Sequence, residues 1–463
     1  MSTASCWDEY SLSKFIKTLA DVPSPNHFKS IHSSIIKLGF SRFAVVMTGL
    51  IGLALKCGAL HDADKLFDDM PQKDVVAWTS MIVGHARHGR CEDSISFFRR
   101  LLASGTAPNW YSFSGALSAC SGLGVEALGY GKQIHVQVLK SSFLGPVDPI
   151  VHHGLLDMYS KCHCLVYVQR LFDSMAVKSL VAWNLMMSAY LRCGQAEEAL
   201  KLFNSMVAHG VKPGDFTYAI CVDACAAHAS IKQGTQLHAS ILKSGFDHDL
   251  VIRNSMVDMY SKCGCIGSAK AVFEAMPSRD PVLWTTMISA YGRCGCVSDA
   301  IEMFEKMIQM NIKRDEVAYL AVLSACSHAG LLSKGWQYFQ LMFEEEHTVV
   351  AESEHYGCMV DLLCRSGRSE EALDFIEHMP FEANVAIWST LLHSCRMYGN
   401  AKLGQFAASQ MSRIDPEFHS NWVLLSSIHA AESEWDTTWK IRESMKDENV
   451  KKDPGFSWIE LSQ

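Results

Sequence analysis

The sequence lacks the apolar run of about 18 or more residues that a membrane-spanning helix needs, so we expect no membrane segment. It also lacks an excess of basic residues, since 41 Lys and Arg stand against 49 Asp and Glu and give a formal net charge of -8. Nucleic-acid binding through bulk charge requires clustered Lys and Arg, which this composition excludes. Any binding to nucleic acid must therefore be local and directed at the bases.

The sequence patterns of nucleotide-handling enzymes are missing as well. Zinc-dependent nucleobase deaminases carry H-x-E followed by P-C-x-x-C, and neither H-x-E nor C-x-x-C occurs in the 463 residues. No P-loop and no Rossmann glycine pattern occurs either. We predict that this chain is not an enzyme and uses no cofactor.

The cysteine content is below that of a disulfide scaffold, and charged residues are few. Seventeen cysteines are too few for a disulfide scaffold, so we expect free thiols in a reducing compartment. With 49% hydrophobic and 19% charged residues, the chain can bury a large core. The C-x-C pairs lack the spacing of two to four residues that structural zinc sites prefer, so we interpret them as turn positions. Three further cysteines mark one buried helix position: Cys120, Cys225 and Cys326.

Internal repetition is the main positive signal. VVAWTSMI from Val75, LVAWNLMM from Leu180, PVLWTTMI from Pro281 and VAIWSTLL from Val385 place tryptophans 105, 101 and 104 residues apart. DMYSKCHC from Asp157 returns as DMYSKCGC after 101 residues. The long period contains three repeats of about 35, 31 and 35 residues, and repeats of 20 to 50 residues indicate a solenoid.

Each repeat has the pattern of two short helices. In the repeat that starts at Leu180, apolar residues at helical spacing are interrupted at Gly194 and resume at Ala196, and Gly210 ends the second run. We predict an all-α solenoid with an N-terminal tail at 1–8 and repeats over 9–384. The repeat boundaries are 9–43, 44–74, 75–109, 110–148, 149–179, 180–214, 215–249, 250–280, 281–315, 316–352 and 353–384. Repeat 110–148 is longer than its relatives, and we expect its GLGVEALGYG and SFLGPVD segments to be loops.

The pattern from Val181 to Gly214 resembles the pentatricopeptide repeat, and the long, short and standard alternation is similar to the plant subclass devoted mostly to RNA editing. Residues 385–463 resemble the E motifs of that subclass, which implies a separate helical region that recruits a partner. The chain ends five residues after Trp458, where many relatives continue into a deaminase domain. The resemblance implies a right-handed α-solenoid superhelix that binds single-stranded organellar RNA at one nucleotide per repeat.

The resemblance also implies which residues read the bases. The fifth residue of a repeat hydrogen-bonds a base edge, the last residue of that repeat supports it, and apolar second residues sandwich the bases. Thr48 with Asp74 and Thr285 with Asp315 imply guanine, Thr79 with Asn109 implies adenine, and Asn254 with Asp280 implies uracil with cytosine second. Asn184 lies in a repeat ending at Gly214 and implies only a pyrimidine. The sandwiching residues are Val76, Val181, Val251 and Val282.

The remaining repeats give no base assignment. His153 with Ser179 departs from the pairing rule, and Ser13, Ser114, Ala219, Leu320 and Gly357 occupy the other fifth positions. Thr, Asn and Asp near helix starts are ordinarily caps, which is the alternative for the paired residues.

The resemblance implies two protein partners, a deaminase-bearing pentatricopeptide repeat protein acting in trans and multiple organellar RNA editing factors. It implies a mitochondrial location first and a chloroplast second, although Asp8, Glu9 and the absence of Arg from the first twenty residues make a poor transit peptide. Import then uses a weak signal, or the true start lies upstream. Two alternatives stay open: a factor for organellar RNA stability, splicing or processing, and a protein-binding helical scaffold, which the net charge mildly favours.

Overall fold

The computed structural model describes residues 25–40, 43–141, 148–276, 279–344, 349–415, 420–431 and 433–447. Throughout these ranges the secondary structure is helical, with no β-strand. None of the helices described is both long and apolar enough to cross a membrane. The chain divides into two compact units, residues 1–228 and residues 229–463, which we call the N-terminal and C-terminal units.

The N-terminal unit is a succession of paired helices joined by short turns. Its helices are α1 (Pro25–Lys37), α2 (Ala44–Lys56), α3 (Leu60–Asp69), α4 (Val75–Arg87), α5 (Cys91–Ala103), α6 (Trp110–Leu123), α7 (Leu128–Ser141), α8 (Pro149–Lys161), α9 (Leu165–Ser174), α10 (Leu180–Arg192), α11 (Ala196–Ala208) and α12 (Asp215–His228).

The C-terminal unit has the same construction. Its helices are α13 (Ile231–Ser244), α14 (Leu250–Lys262), α15 (Ile266–Glu274), α16 (Pro281–Arg293), α17 (Val297–Gln309), α18 (Glu316–Ala329), α19 (Leu332–Glu344), α20 (Ser353–Arg365), α21 (Ser369–Glu377), α22 (Val385–Tyr398), α23 (Ala401–Ile414), α24 (Ser420–Ala431) and α25 (Trp435–Asp447).

The hairpin of α10 and α11 explains why these sequences fold as helix pairs. Ser179 begins α10 by accepting a hydrogen bond from the Ala182 backbone N–H at 3.2 Å. Gly194 takes φ of 73° in the turn, a conformation that favours glycine. In the first turn of α11 Glu197 accepts from Lys201 at 2.9 Å, and its negative charge interacts favourably with the positive end of the helix dipole.

Three tryptophans of the long period are buried against the second helix of the preceding repeat. The edge of Trp78 meets the Phe67 ring with centroids 4.6 Å apart, and Trp183 and Trp284 meet Phe172 and Phe273 in the same way at 5.0 and 5.2 Å. Within each unit the first helix of a repeat packs on the first helix of the next. Each hairpin therefore completes its core with its neighbours, and the prediction of an all-α array of stacked helix-turn-helix repeats is confirmed.

The predicted GLGVEALGYG loop is wrong. Gly124–Ala127 forms a 3₁₀ turn and the residues that follow it belong to α7. Gly131 sits in α7 because the helix approaches Met158 so closely that a β-carbon there would lie 2.5 Å from the Met158 sulfur. Glycine marks close helix packing here rather than a loop. The second segment, SFLGPVD, lies outside the described residues up to Val147.

The region after residue 384 forms two further hairpins, α22 with α23 and α24 with α25. Asn384 begins α22 by accepting from the Ile387 N–H at 3.0 Å, and Gly399 ends it with φ of 71°. The first hairpin shares a continuous apolar core with α20 and α21. The tail at 1–8, Ser13 and Trp458 lie outside the described residues.

Candidate nucleic-acid interface

The last residue of most repeats caps the first helix of the next repeat. The side-chain oxygens of Asp74, Asn109 and Asp280 each accept from a backbone N–H at 2.8 Å, and that of Asp315 accepts at 2.9 Å. A capping side chain uses one acceptor for the backbone N–H of the helix that it begins. These four residues are therefore helix caps, and part of each side chain is left available for a second contact.

Thr79 and Asn109 are brought together directly. The Thr79 hydroxyl lies 2.6 Å from the Val75 carbonyl and 3.3 Å from Asn109 Oδ1, so its single proton is shared between two acceptors. Of the four predicted pairs, all of which lie in the described residues, only Thr79 and Asn109 are joined by a direct hydrogen bond. His153, which departs from the pairing rule, nevertheless has its Nε2 2.8 Å from Ser179 Oγ.

The other predicted fifth residues differ in their partners. Thr285 is buried and donates to the Pro281 carbonyl at 3.0 Å. Thr48 Oγ1 and Asn254 Oδ1 are buried atoms without a hydrogen-bond partner. An unsatisfied buried polar atom destabilises the folded chain by about 1–3 kcal/mol. A bound molecule that supplied a hydrogen-bond partner, once the side chain had reoriented, would remove that penalty.

Asn184 has a partner that the sequence did not predict. Its Oδ1 accepts from the Thr217 hydroxyl at 2.9 Å, and the same hydroxyl accepts from the Gly214 backbone N–H at 3.2 Å. Gly214 has no side chain to offer, so a residue three positions further along the chain contacts Asn184 instead.

A groove of about 540 Å³ connects the polar pair with apolar residues on the first helices of the N-terminal unit. Thr79 and Asn109 line it together with Val76 and Tyr111, which are both exposed. Lys56 and Arg87 line the same groove. One surface therefore offers hydrogen-bonding groups, two apolar faces and positive charge.

Exposed apolar side chains recur at the second position of successive repeats. Burial of an apolar side chain ordinarily stabilises a protein, but these side chains are 44–63% exposed. In the N-terminal unit they are Val45, Val76, Tyr111, Ile150, Val181 and Phe216, and in the C-terminal unit Val251, Val282 and Val317. The sequence predicted four of these, Val76, Val181, Val251 and Val282. It missed the other five, although they occupy the same second position of their repeats.

Basic residues end several first helices, and some are held by carboxylates. Arg293 donates to Asp258 at 2.6 Å, and Lys262 lies 2.8 Å from the same carboxyl. Partial burial acts to raise the pKa of Asp258, but the hydrogen bonds from Lys262 and Arg293 outweigh it and the pKa lies below its ordinary value. In contrast, burial lowers the pKa of His153, with a smaller contribution from His152, so its imidazole is neutral at pH 7.

The cysteines fit the interpretation as buried or turn residues. Cys120, Cys225 and Cys326 are fully buried, and burial raises the pKa of Cys120 to about 12 and that of Cys326 to about 11. Across the described ranges no three His, Cys, Asp or Glu side chains are grouped so that they could hold a metal ion. These thiols are inert core groups.

Family models match most of the chain. The PPR repeat family matches residues 178–227 and 279–328, the PPR repeat matches residues 45–75, 76–106, 251–280, 317–347 and 354–381, and the E motif matches residues 398–460.

Curated relatives match along nearly the whole chain. A pentatricopeptide repeat-containing protein of Arabidopsis thaliana is 39% identical over 93% of this chain and 61% of its own length. A chloroplastic one is 34% identical over 98% of this chain and 53% of its own, and a mitochondrial one is 32% identical over 99% and 73%. The chain thus spans little more than half the length of the first two.

The fold has a solved counterpart. The maize pentatricopeptide repeat protein PPR10 has a TM-score of 0.63 at 16% identity over 97% of this chain and 70% of its own. PPR10 in complex with an 18-nt psaJ RNA element has a TM-score of 0.67 at 16% identity, over 96% and 70%. At this level of identity the likeness concerns the fold.

Proposed function

Because this chain belongs to the pentatricopeptide repeat family, we propose that it binds single-stranded RNA along its first helices and specifies sites of C-to-U editing in an organelle. The observation that carries the proposal is the groove that Thr79 and Asn109 line together with Val76 and Tyr111. A nucleobase needs hydrogen-bond partners at its edge and apolar contact on its two faces. This groove offers both.

The two assigned roles of the paired residues are compatible. Asp74, Asn109, Asp280 and Asp315 cap helices with one acceptor and keep further acceptors or donors for the side chain at the fifth position. A carboxylate accepts only, whereas an amide both donates and accepts. The family resemblance assigns guanine to Thr with Asp, adenine to Thr with Asn, and uracil with cytosine second to Asn254 with Asp280.

The proposed register follows from the order of the repeats. With repeat 353–384 over the fourth nucleotide upstream of the edited cytidine, as the family resemblance implies, the target has G and A at -13 and -12, a pyrimidine at -9, U or C at -7 and G at -6. The PPR10 complex with RNA supports single-stranded RNA as the ligand class.

Binding to synthetic RNA tests the recognition step. The purified chain should bind an oligonucleotide with these five bases at least about tenfold more tightly than one with the same bases scrambled, because each base-specific contact contributes roughly 1–3 kcal/mol. Equal affinity for both would contradict base-directed recognition. Preference for a peptide over either RNA would favour the scaffold alternative.

The editing step is proposed to need partners. The sequence holds neither H-x-E nor C-x-x-C, so we assign the chain recognition and place the chemistry on a deaminase-bearing pentatricopeptide repeat protein in trans, with multiple organellar RNA editing factors as further partners. The E motif match at 398–460 supports recruitment through that region. Relatives named mitochondrial and chloroplastic support an organellar location, and we propose the mitochondrion first.

Comparing organellar transcripts with and without the protein separates editing from the nearer alternative. Loss of C-to-U conversion at one cytidine that follows the proposed bases, with transcript levels unchanged, is the expected result. Unchanged editing at every site together with altered transcript ends, splicing or abundance would instead assign the chain to RNA stability, splicing or processing.

A further inference from the structure

Thr217 occupies an unusual place beside the proposed base-reading face. It is the third residue of α12 and is fully buried, and its hydroxyl contacts two groups. It accepts from the Gly214 N–H at 3.2 Å and donates to Asn184 Oδ1 at 2.9 Å. The second contact joins residues 33 positions apart, from the first helices of successive repeats.

Gly214 leaves this place open. In repeat 75–109 the last residue, Asn109, has a side chain that caps α6 and contacts Thr79. At Gly214 there is no side chain, and the Thr217 hydroxyl takes both contacts, one with the start of α12 and one with the residue at the fifth position.

The type of partner decides which end of an asparagine amide remains for a ligand. A carboxylate only accepts, so it holds the amide nitrogen and leaves the oxygen. A hydroxyl that donates to the amide oxygen leaves the two N–H donors of the nitrogen. Asn184 is nearly buried, so a fixed oxygen also fixes the direction of its nitrogen.

We propose that Thr217 is a positioning residue that makes repeat 180–214 select cytosine over uracil, by holding Asn184 Oδ1 and presenting Nδ2 to the base. This inference rests on the proposed RNA-binding function and deepens it. Cytosine offers two adjacent acceptors, N3 and O2, to the amide N–H groups. Uracil carries a proton on N3, which meets a donor with a donor and leaves that group unpaired.

One substitution should reverse which end of the Asn184 amide faces the base. A β-carbon at Gly214 would lie 3.6 Å from Leu180 Cδ2, which is ordinary contact, and its φ lies outside the left-handed region. Gly214→Asp therefore fits without strain. Its carboxylate can cap α12 as Asp280 caps α16, and it competes with Thr217 by accepting from Asn184 Nδ2.

Four oligonucleotides that differ only in the base facing repeat 180–214 test the inference with the full chain by fluorescence anisotropy. The unaltered chain should bind the cytidine form about fivefold to tenfold more tightly than the uridine form, a ratio worth roughly one base-edge hydrogen bond. Thr217→Val should bring that ratio within about twofold, Thr217→Ser should retain it, and Gly214→Asp should invert it in favour of uridine.

The control is Thr235→Val, an exposed threonine on the second helix of the following repeat, which should leave the ratio unchanged. Thermal unfolding checks that Thr217→Val is folded, and Gly214→Asp gives an independent answer if it is not. A uridine preference in the unaltered chain, or a ratio insensitive to both Thr217→Val and Gly214→Asp, overturns the inference. Failure of the proposed function is a different result, namely equal binding to scrambled RNA at every position.

Discussion

Asn109 contacts two neighbours through one amide oxygen. That oxygen accepts from the Ser112 N–H at 2.8 Å, and the Thr79 hydroxyl lies 3.3 Å away. Aspartate caps helices as well as asparagine does, so exchanging one for the other preserves the fold while it changes the chemistry beside Thr79.

The first prediction is a reciprocal exchange. Asn109→Asp should change the preferred base facing repeat 75–109 from adenine to guanine, and Asp315→Asn should make the opposite change at repeat 281–315. We expect shifts of about fivefold or more, since a base-specific contact contributes roughly 1–3 kcal/mol. Anisotropy with the four bases at each position measures both. If both variants lose stability and neither changes its base, these residues are caps alone.

The second prediction concerns Tyr111, which is 63% exposed in the groove beside Thr79. Stacking of a base on an aromatic ring contributes roughly 1–3 kcal/mol whatever the base, so Tyr111→Val should weaken RNA binding about fivefold or more without changing base preference. Val317→Tyr, at the same position of a later long repeat, should strengthen binding. Tyr130→Val, an exposed tyrosine on α7, is the control that should change nothing.

Sequence alone could locate these residues only where the repeat pattern is regular. Tyr111 and Phe216 share the second position with the four valines, so counting along the repeat would have identified them. Thr217 could not be found in this way, because its role depends on a hydrogen bond to Asn184 that no local pattern encodes.

At the scale of helices, the caps provide a third prediction. Asp249 accepts from the Ile252 N–H at 3.0 Å and Asp280 from the Leu283 N–H at 2.8 Å. The repeat that ends at Asp249 has Ala219 at its fifth position, which has no polar side chain. Asp249→Ala and Asp280→Ala should each lower the free energy of unfolding by about 1 kcal/mol. Only Asp280→Ala should also reduce base preference, as denaturation and binding titrations can show. Equal base preference in both would leave Asp280 a purely structural residue.

Two glycines of α7 give a fourth prediction. Gly129 has nothing within 4 Å of its would-be β-carbon, whereas that of Gly131 would lie 2.5 Å from the Met158 sulfur. Gly129→Ala should stabilise the chain by about 0.5–1 kcal/mol through helix propensity, while Gly131→Ala should destabilise it by about 1 kcal/mol because the buried methionine must move. Chemical denaturation measures both changes. The same sign for both would contradict the packing role of Gly131.

These glycines also show why the loop prediction failed. A glycine in a sequence is equally consistent with a turn and with close helix packing, and the two differ only in what lies opposite the α-carbon. Met158, which lies opposite Gly131, is 27 positions away in the sequence. The helix pairs themselves were predicted correctly because apolar spacing and terminal glycines are local signals.

At the scale of the whole molecule, repetition predicted the array but not its division into compact units at residues 228 and 229. The sequence there reads AAHASIKQ, with no proline or glycine to indicate a boundary. Repeats contact only their neighbours, so a repeat pattern by itself does not locate a boundary between compact units.

The net charge of -8 leads to a fifth prediction, on salt dependence. Binding through the groove brings few cations to the phosphates, among them Lys56 and Arg87. Each phosphate neutralised on a single strand changes the slope of log affinity against log salt by about -0.7, so three or four such contacts give a slope of about -2 to -3. Arg87→Ala should make that slope shallower by about 0.7 while base preference at repeat 75–109 stays the same.

The opposite dependence would identify a different mode of binding. A slope of about -6 or steeper, with little loss on scrambling the RNA, indicates contact through many phosphates. An acidic chain can achieve that only if its basic side chains are gathered on one surface, whereas Arg293 and Lys262 are both held by Asp258. A shallow slope combined with strong base preference is therefore the behaviour that the charges and the groove jointly predict.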